Sequence, residues 1–342
     1  MASSKSPPPI TCSASSEFPG RHWRDPTKPP HPVCPQSPGV AGARGLRRGH
    51  RARANARFAG QFLSRTLWLS LDPYYRNVMK NSQIYADRLA AGDVMVGETV
   101  AQVVTSQHGD CSRGDYVAVR NGWQQYALSN GQGVAQARSA VAPVSTALGV
   151  LGMPGLTGYA GTVYLGEPRP GQTFVVSACT GPVGSTAGQV ARHMGARVVG
   201  IAGSTAKCDY AVRELGFAAC VNYREGDLAT QLKQACPDGI DVYFDNVAGD
   251  TLVAVLRNLA LGARIVLCGM IEAYSMDKPP AGPFLGPVVG ARATMKGLVV
   301  YDHLHRLPEL VKVVGGWIRE AASAIGKTSR KASRRRRRHS VA

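Results

Sequence analysis

No run of about eighteen apolar residues occurs in this 342-residue chain, so the sequence offers no helix that would span a membrane. None of its eight cysteines, at positions 12, 34, 111, 179, 208, 220, 236 and 268, forms a C-x-x-C pair. That spacing excludes a four-cysteine zinc lobe, and the scattered thiols read as free cysteines of a reducing compartment. The segment Val96-Gly97-Glu98-Thr99 has no histidine before its glutamate. His303 and His305 stand two apart in an expected loop with no cysteine partner nearby. No metal site is expected. Acids are scarce too, with 22 Asp and Glu against 40 Lys and Arg, and scarcest at the ends. Residues 1–60 hold ten basic residues against two acids, and residues 321–342 hold eight against none. Residues 61–320 are nearly balanced, 22 against 20.

The stretch Gln172–Tyr274 reads as strands and helices in alternation. The apolar run Phe174-Val175-Val176 suits a buried parallel strand, and Ala178, Gly181 and Gly184 follow as A-x-x-G-x-x-G. Gly181 and Gly184, with Val183 between them, let the backbone approach a pyrophosphate at the positive N-terminus of the next helix. Further strands are expected at 197–202, 219–222, 240–245 and 262–269. Helices are expected at 185–194, 206–216, 228–235 and 250–259. Ligands of doubly wound sheets lie beyond the carboxyl ends of the strands, where Asn246, Cys268, Gly269 and Tyr274 fall.

The strand Arg197–Ala202 ends in Ala202-Gly203-Ser204, with no acid to take a ribose 2′-hydroxyl. Lys207 follows, and Tyr223 lies just past the next strand. A small loop, a lysine and a tyrosine suit a 2′-phosphate, so NADPH is favoured over NADH. The alternative leaves Lys207 a solvated residue in the first turn of a helix.

Several longer motifs bear on family: LSLDPYYR (69–76), VMVGETV (94–100), GDYV (114–117), GWQQYA (122–127), LGMPGLTGYAG (151–161), GIDVYFDNVAGD (239–250), ARIVLCGMIEAY (263–274) and VVYDHLHRLPE (299–309). Over roughly residues 61–320 the chain resembles the zinc-independent medium-chain dehydrogenase/reductases of the prostaglandin reductase and alkenal double-bond reductase type. The resemblance implies reduction of the α,β double bond of enones and enals with NADPH. It marks Tyr74 and Tyr274 as candidate donors to the substrate carbonyl, with Tyr85 in a loop that could also approach. It sets Met153 and Thr157 against the nicotinamide and Val300 at its carboxamide. Read from the residues alone, Met153 is core, and buried tyrosines simply pack.

The expected architecture is α/β. A β-rich, GroES-like substrate domain at 61–150, incomplete at its start, precedes a Rossmann-type doubly wound dinucleotide domain at 151–320. Arg306–Glu320 has helical spacing in Leu307, Leu310, Val311, Val314 and Trp317. Residues 1–60 and 321–342 are basic, Ser- and Arg-rich and expected to be disordered. An organelle transit peptide or a nucleic-acid tail built on Arg334–Arg338 are two readings of these ends. The favoured reading is a shifted reading frame, because the family-like motifs begin near Phe62 and stop near Glu320. The expected partner is a small enone or enal, with no membrane and no nucleic acid. A homodimer and a cytoplasmic location complete the reading. The rival is an NADPH-binding relative without turnover.

Overall fold

The computed structural model describes residues 16–17, 59–79, 89, 93–137, 142–276 and 281–320. The remaining parts of both basic ends, including Arg334–Arg338, and the candidate Tyr85 lie outside the described residues. Within the first end, Ser16–Glu17 forms a short strand, β1, where no structure was expected. It pairs antiparallel with the next strand, Ser16 opposite Leu69 and Glu17 opposite Trp68.

Two six-stranded sheets organise the described residues. The first is antiparallel. Its strands are β1, β2 (Phe62–Leu69), β3 (Thr99–Ser106), β4 (Tyr116–Val119), β5 (Tyr126–Ser129) and β6 (Ala135–Gln136). They run in the order β1-β2-β3-β4-β6, with β5 on β2. Alternation drives it, because Phe62, Ala101, Val103, Val117 and Val119 turn inward to one small core.

The second sheet is parallel: β7 (Thr173–Val176), β8 (Arg197–Ala202), β9 (Ala219–Asn222), β10 (Ile240–Asp245), β11 (Leu259–Leu267) and β12 (Thr294–Gly297). The spatial order β12-β11-β10-β7-β8-β9 reverses between β7 and β10, as in a doubly wound dinucleotide fold. Helices 182–193, 205–213, 228–235 and 249–256 supply the crossovers. Both faces are covered, so Phe174, Val175, Val176, Tyr243 and Phe244 are wholly buried.

Element identities follow the sequence pattern, and boundaries shift for local reasons. The first helix begins at Pro182 rather than Ser185, because proline's fixed φ fits the opening turn. Helix 249–256 ends three residues earlier than expected. Strand β11 starts at Leu259, and Gly262 (φ +75°) lies inside it rather than opening it. The pairing of β10 with β11 shifts register there, the usual role of a strand glycine. His303 and His305 fall in a 3₁₀ turn, Val300–Arg306, rather than a loop.

Two close packings seat the glycine turn. A β-carbon on Gly158, in helix Met153–Ala160, would lie 2.7 Å from the Val183 carbonyl oxygen. One on Gly188 would lie 2.2 Å from the Phe217 ring. The last helix, Leu307–Glu320, buries Leu310, Val314 and Ile318 against Leu156, Tyr159 and Val190.

Candidate active site

A cleft of about 260 Å³ opens at the carboxyl ends of β7 and β10, where the strand order reverses. The glycine turn forms its floor. Ala178 takes a left-handed φ of +47°, a conformation that favours glycine. A β-carbon on Gly184 would stand 2.5 Å from the Ala178 carbonyl oxygen, so this position admits only glycine without a backbone shift. Gly181 precedes the helix, and no side chain caps it. The first-turn N–H groups of Val183 and Gly184 are therefore open at the cleft, which both residues line. Such a terminus fits a pyrophosphate.

Two groups of Ser177 behind the turn fix Asn246. Its backbone N–H donates to Ser177 Oγ at 2.8 Å, and its Nδ2 donates to the Ser177 carbonyl at 2.8 Å. Ser177 Oγ in turn donates to Asp245 Oδ1 at 3.1 Å. Asp245 is fully buried, and the same oxygen accepts from Tyr243 Oη and from the N–H groups of Val247 and Ala248. Its other oxygen has no hydrogen-bond partner. Burial pushes the Asp245 carboxyl up, only partly offset by those four donors. Cys268, also at the cleft, has its thiol pushed up to about 12, first by burial and then by Asp245. It therefore stays a neutral thiol.

Met153 and Thr157 face the cleft from helix 153–160, and Thr157 Oγ1 donates to the Met153 carbonyl at 2.8 Å. Gly269, Tyr274 and Val300 complete the far wall. Tyr274 Oη accepts the N–H of Met270 at 3.3 Å.

Tyr74 closes the cleft from the antiparallel-sheet side, with Asp72 and Pro73. Its hydroxyl lies 3.1 Å from that of Tyr301. Burial first, then Tyr75 and the Tyr301 hydrogen bond, push the Tyr74 phenol far above its ordinary value. It stays protonated and can donate. Tyr75 packs on it at 4.5 Å between ring centroids and accepts the Glu98 N–H at 3.0 Å. The Glu98 carboxylate reaches Arg120 Nε at 3.6 Å.

Of the thirteen candidate residues that are described, eleven therefore meet: Tyr74, Met153, Thr157, Gly181, Val183, Gly184, Asn246, Cys268, Gly269, Tyr274 and Val300. Lys207 and Tyr223 do not line the cleft. They stand at the neighbouring strand ends, Lys207 exposed in the first turn of helix 205–213 and the Tyr223 ring over Gly203. Arg224, unmarked in the sequence reading, stands over the Tyr223 ring at 5.7 Å and adds a second cation there. Tyr301 was also passed over. Its signal was present beside Val300, but no spacing rule links it to Tyr74, 227 residues away. The scattered cysteines are not all apart in space, since Cys179 and Cys220 bring their sulfurs to 3.7 Å.

Two family models match the chain: one described as the N-terminal domain of oxidoreductase over residues 51–137, the other as zinc-binding dehydrogenase over residues 182–315. The NADPH-dependent curcumin reductase of Escherichia coli is 42% identical over 267 residues, covering 76% of this chain and 77% of that protein. The 2-alkenal reductase (NADP(+)-dependent) of Nicotiana tabacum is 38% identical over 253 residues, covering 73% and 74%. The chain belongs to the zinc-independent medium-chain dehydrogenase/reductase family, whose members are NADP-dependent oxidoreductases. Mouse prostaglandin reductase 1, 39% identical over 70% of this chain and 72% of its own, is a further similar protein. The crystal structure of CurA in complex with NADPH from Vibrio vulnificus superposes with a TM-score of 0.73 at 40% identity, over 78% of this chain and 81% of that one.

The donor set of this reductase does not fit the zinc of the second family model's description. Among the described residues, no three His, Cys, Asp or Glu side chains come together where they could hold a metal ion. The glycine turn, in contrast, fits a dinucleotide, because its uncapped helix N-terminus lines the cleft.

Proposed function

We propose that this chain reduces the α,β carbon–carbon double bond of enones and enals, with NADPH as cofactor. The observation that carries this reading is the pairing of two phenols, Tyr74 and Tyr274, with an uncapped glycine turn in one cleft. When bound, NADPH supplies a hydride to the substrate β-carbon. The Tyr74 and Tyr274 hydroxyls hydrogen-bond the carbonyl oxygen and stabilise the enolate charge that develops there. The first-turn amides of Val183 and Gly184 hold the pyrophosphate, and Lys207, Tyr223 and Arg224 take the 2′-phosphate. Met153, Thr157, Asn246, Cys268, Gly269 and Val300 bound the nicotinamide. Residues 61–150 act as the substrate domain and residues 151–320 as the cofactor domain.

The test mixes purified protein with NADPH and a panel of enones and enals, and follows loss of the reduced-nicotinamide absorbance. Oxidation that requires the enone supports the reading. Cofactor binding without turnover on any panel member leaves a non-catalytic NADPH-binding protein.

We also infer a homodimer. Among the described residues, strand β12 pairs only with β11, and in the segment that precedes it Phe284 and Val289 are 84% and 77% exposed. Edge strands with apolar neighbours favour pairing with a second copy. Val289→Glu should then shift the species toward monomer in light scattering. The free thiols of Cys111, Cys179, Cys208, Cys220, Cys236 and Cys268 support a cytoplasmic location, which cell fractionation tests. Among the described residues, no helix is long and apolar enough to cross a membrane.

A further inference from the structure

Four contacts connect the cleft to a cation at its outer side. The Tyr74 and Tyr301 hydroxyl oxygens are 3.1 Å apart, and either can donate to the other. The Tyr74 ring packs at a tilt against Tyr75, whose hydroxyl accepts the Glu98 N–H. The Glu98 carboxylate lies 3.6 Å from Arg120 Nε, and the Arg120 side chain is 48% exposed. Burial works against the Arg120 charge. The electrostatic influence of Tyr301, then Tyr74, Glu98 and Tyr75, outweighs it. The guanidinium therefore stays charged, with its carboxylate partner Glu98 at 3.6 Å.

A reductase of this kind needs a proton as well as a hydride, because the enolate must be protonated at its α-carbon. A buried phenol that gives up its proton is left as a phenolate in a poorly solvated place, which is costly. Sharing that charge with a second hydroxyl across a short hydrogen bond, in the field of a cation, lowers the cost.

We propose that Tyr301 is the proton source that recharges Tyr74. This rests on the reading of the cleft given above. The Tyr74 O–H bond breaks as a C–H bond forms at the substrate α-carbon, and the enolate electron pair supplies that bond. The Tyr301 O–H bond breaks as its proton passes along the 3.1 Å contact to Tyr74 Oη. The charge left on Tyr301 rests in the field of Arg120 until water returns a proton. No net charge or atom remains on the protein after one cycle. Tyr301 is therefore a positioning and relay residue acting through Tyr74.

The experiment compares wild type, Tyr301→Phe, Tyr74→Phe and the double variant, each with NADPH and an enone. Tyr301→Phe should lower kcat by about a hundredfold, the lower end of what a positioned proton donor contributes. KM for NADPH should stay level, and the solvent deuterium isotope effect on kcat should rise, because proton delivery becomes limiting. The double variant should be no slower than Tyr74→Phe alone, since the two hydroxyls act as one unit. Arg120→Gln should reproduce the fall in kcat and the larger isotope effect in a chain that keeps both phenols. A purely structural role for Tyr301 would move none of the isotope effects. Unchanged kcat in Tyr301→Phe, or single effects that multiply in the double variant, would overturn the relay while leaving the reductase reading intact. A wild type that binds NADPH and oxidises none of it would sink both.

Discussion

The carbonyl oxygen of Ala178 lies 2.5 Å from where a β-carbon on Gly184 would stand. Turn and helix are pressed together there, and the first-turn amides face the cleft because of it. Gly184→Ala should push the turn away from the helix. The expected cost is about 1–3 kcal/mol of stability, as for other overpacked sites. NADPH affinity should fall by at least about tenfold, since the displaced amides are its proposed phosphate donors. Thermal melts with and without NADPH check both. A variant that melts and binds like wild type would mean the turn has room to give.

Ala178 itself holds a left-handed conformation, which costs an L-residue about 1–2 kcal/mol. Ala178→Gly should remove that strain and lose about 0.5–1 kcal/mol to the greater freedom of glycine in the unfolded chain. The expected result is a melting temperature equal to or slightly above wild type. Ala178→Val should melt lower, because a β-branched residue resists this φ further. The reverse ranking of the two variants contradicts the account.

Lys207→Ala should weaken NADPH binding by about tenfold, the lower range for a charge-assisted contact at an exposed position, and leave NADH nearly unchanged. Arg224→Ala should act in the same direction if the two cations share the phosphate. Titration of both cofactors against each variant decides it. Equal losses for NADPH and NADH would remove Lys207 from the phosphate pocket.

Tyr274→Phe keeps the ring and removes the donor. Turnover with enones should drop by up to about a hundredfold, as when an oxyanion donor is lost, with NADPH affinity level. Tyr74 can share the role, so a residual rate is expected. Stopped-flow rates across several enones would expose an unaffected Tyr274 as a packing residue.

Asp245 gives a pH prediction. Its folded carboxyl is raised by burial, so the native state holds a proton that the unfolded chain releases. Stability from this group is full below the unfolded carboxyl range and is lost as pH rises through the raised folded value. Asp245→Asn keeps an oxygen for the four donors now on Oδ1 and cannot ionise. The stability of the variant relative to wild type should therefore improve from pH 4 to pH 7. Denaturant melts across that range measure the difference, and a flat or falling difference would show that Asp245 does not titrate between native and unfolded states.

Local pattern determined much of this protein. Phe174-Val175-Val176, the glycine turn and the helix after it could be read without a structure, because a buried parallel strand is a short apolar run and a phosphate turn needs glycine at fixed spacing. The strand ends at Asn246 and Cys268 followed from the same rule, since ligands of a doubly wound sheet sit beyond carboxyl ends. The absence of an acid after Ala202 was equally a matter of one position. Tertiary structure decided what spacing cannot encode. Tyr74 and Tyr301 meet only because the antiparallel sheet and the cofactor sheet close on the same cleft, across 227 residues of chain. Cys179 and Cys220 became neighbours through the pairing of β7, β8 and β9. Arg224 reached Tyr223 through the turn after β9. Gly262 moved from strand boundary to strand interior because the β10–β11 register needed a bulge there. Contacts of this kind depend on how elements are stacked, and many sequences could satisfy the same local pattern with other partners in those places.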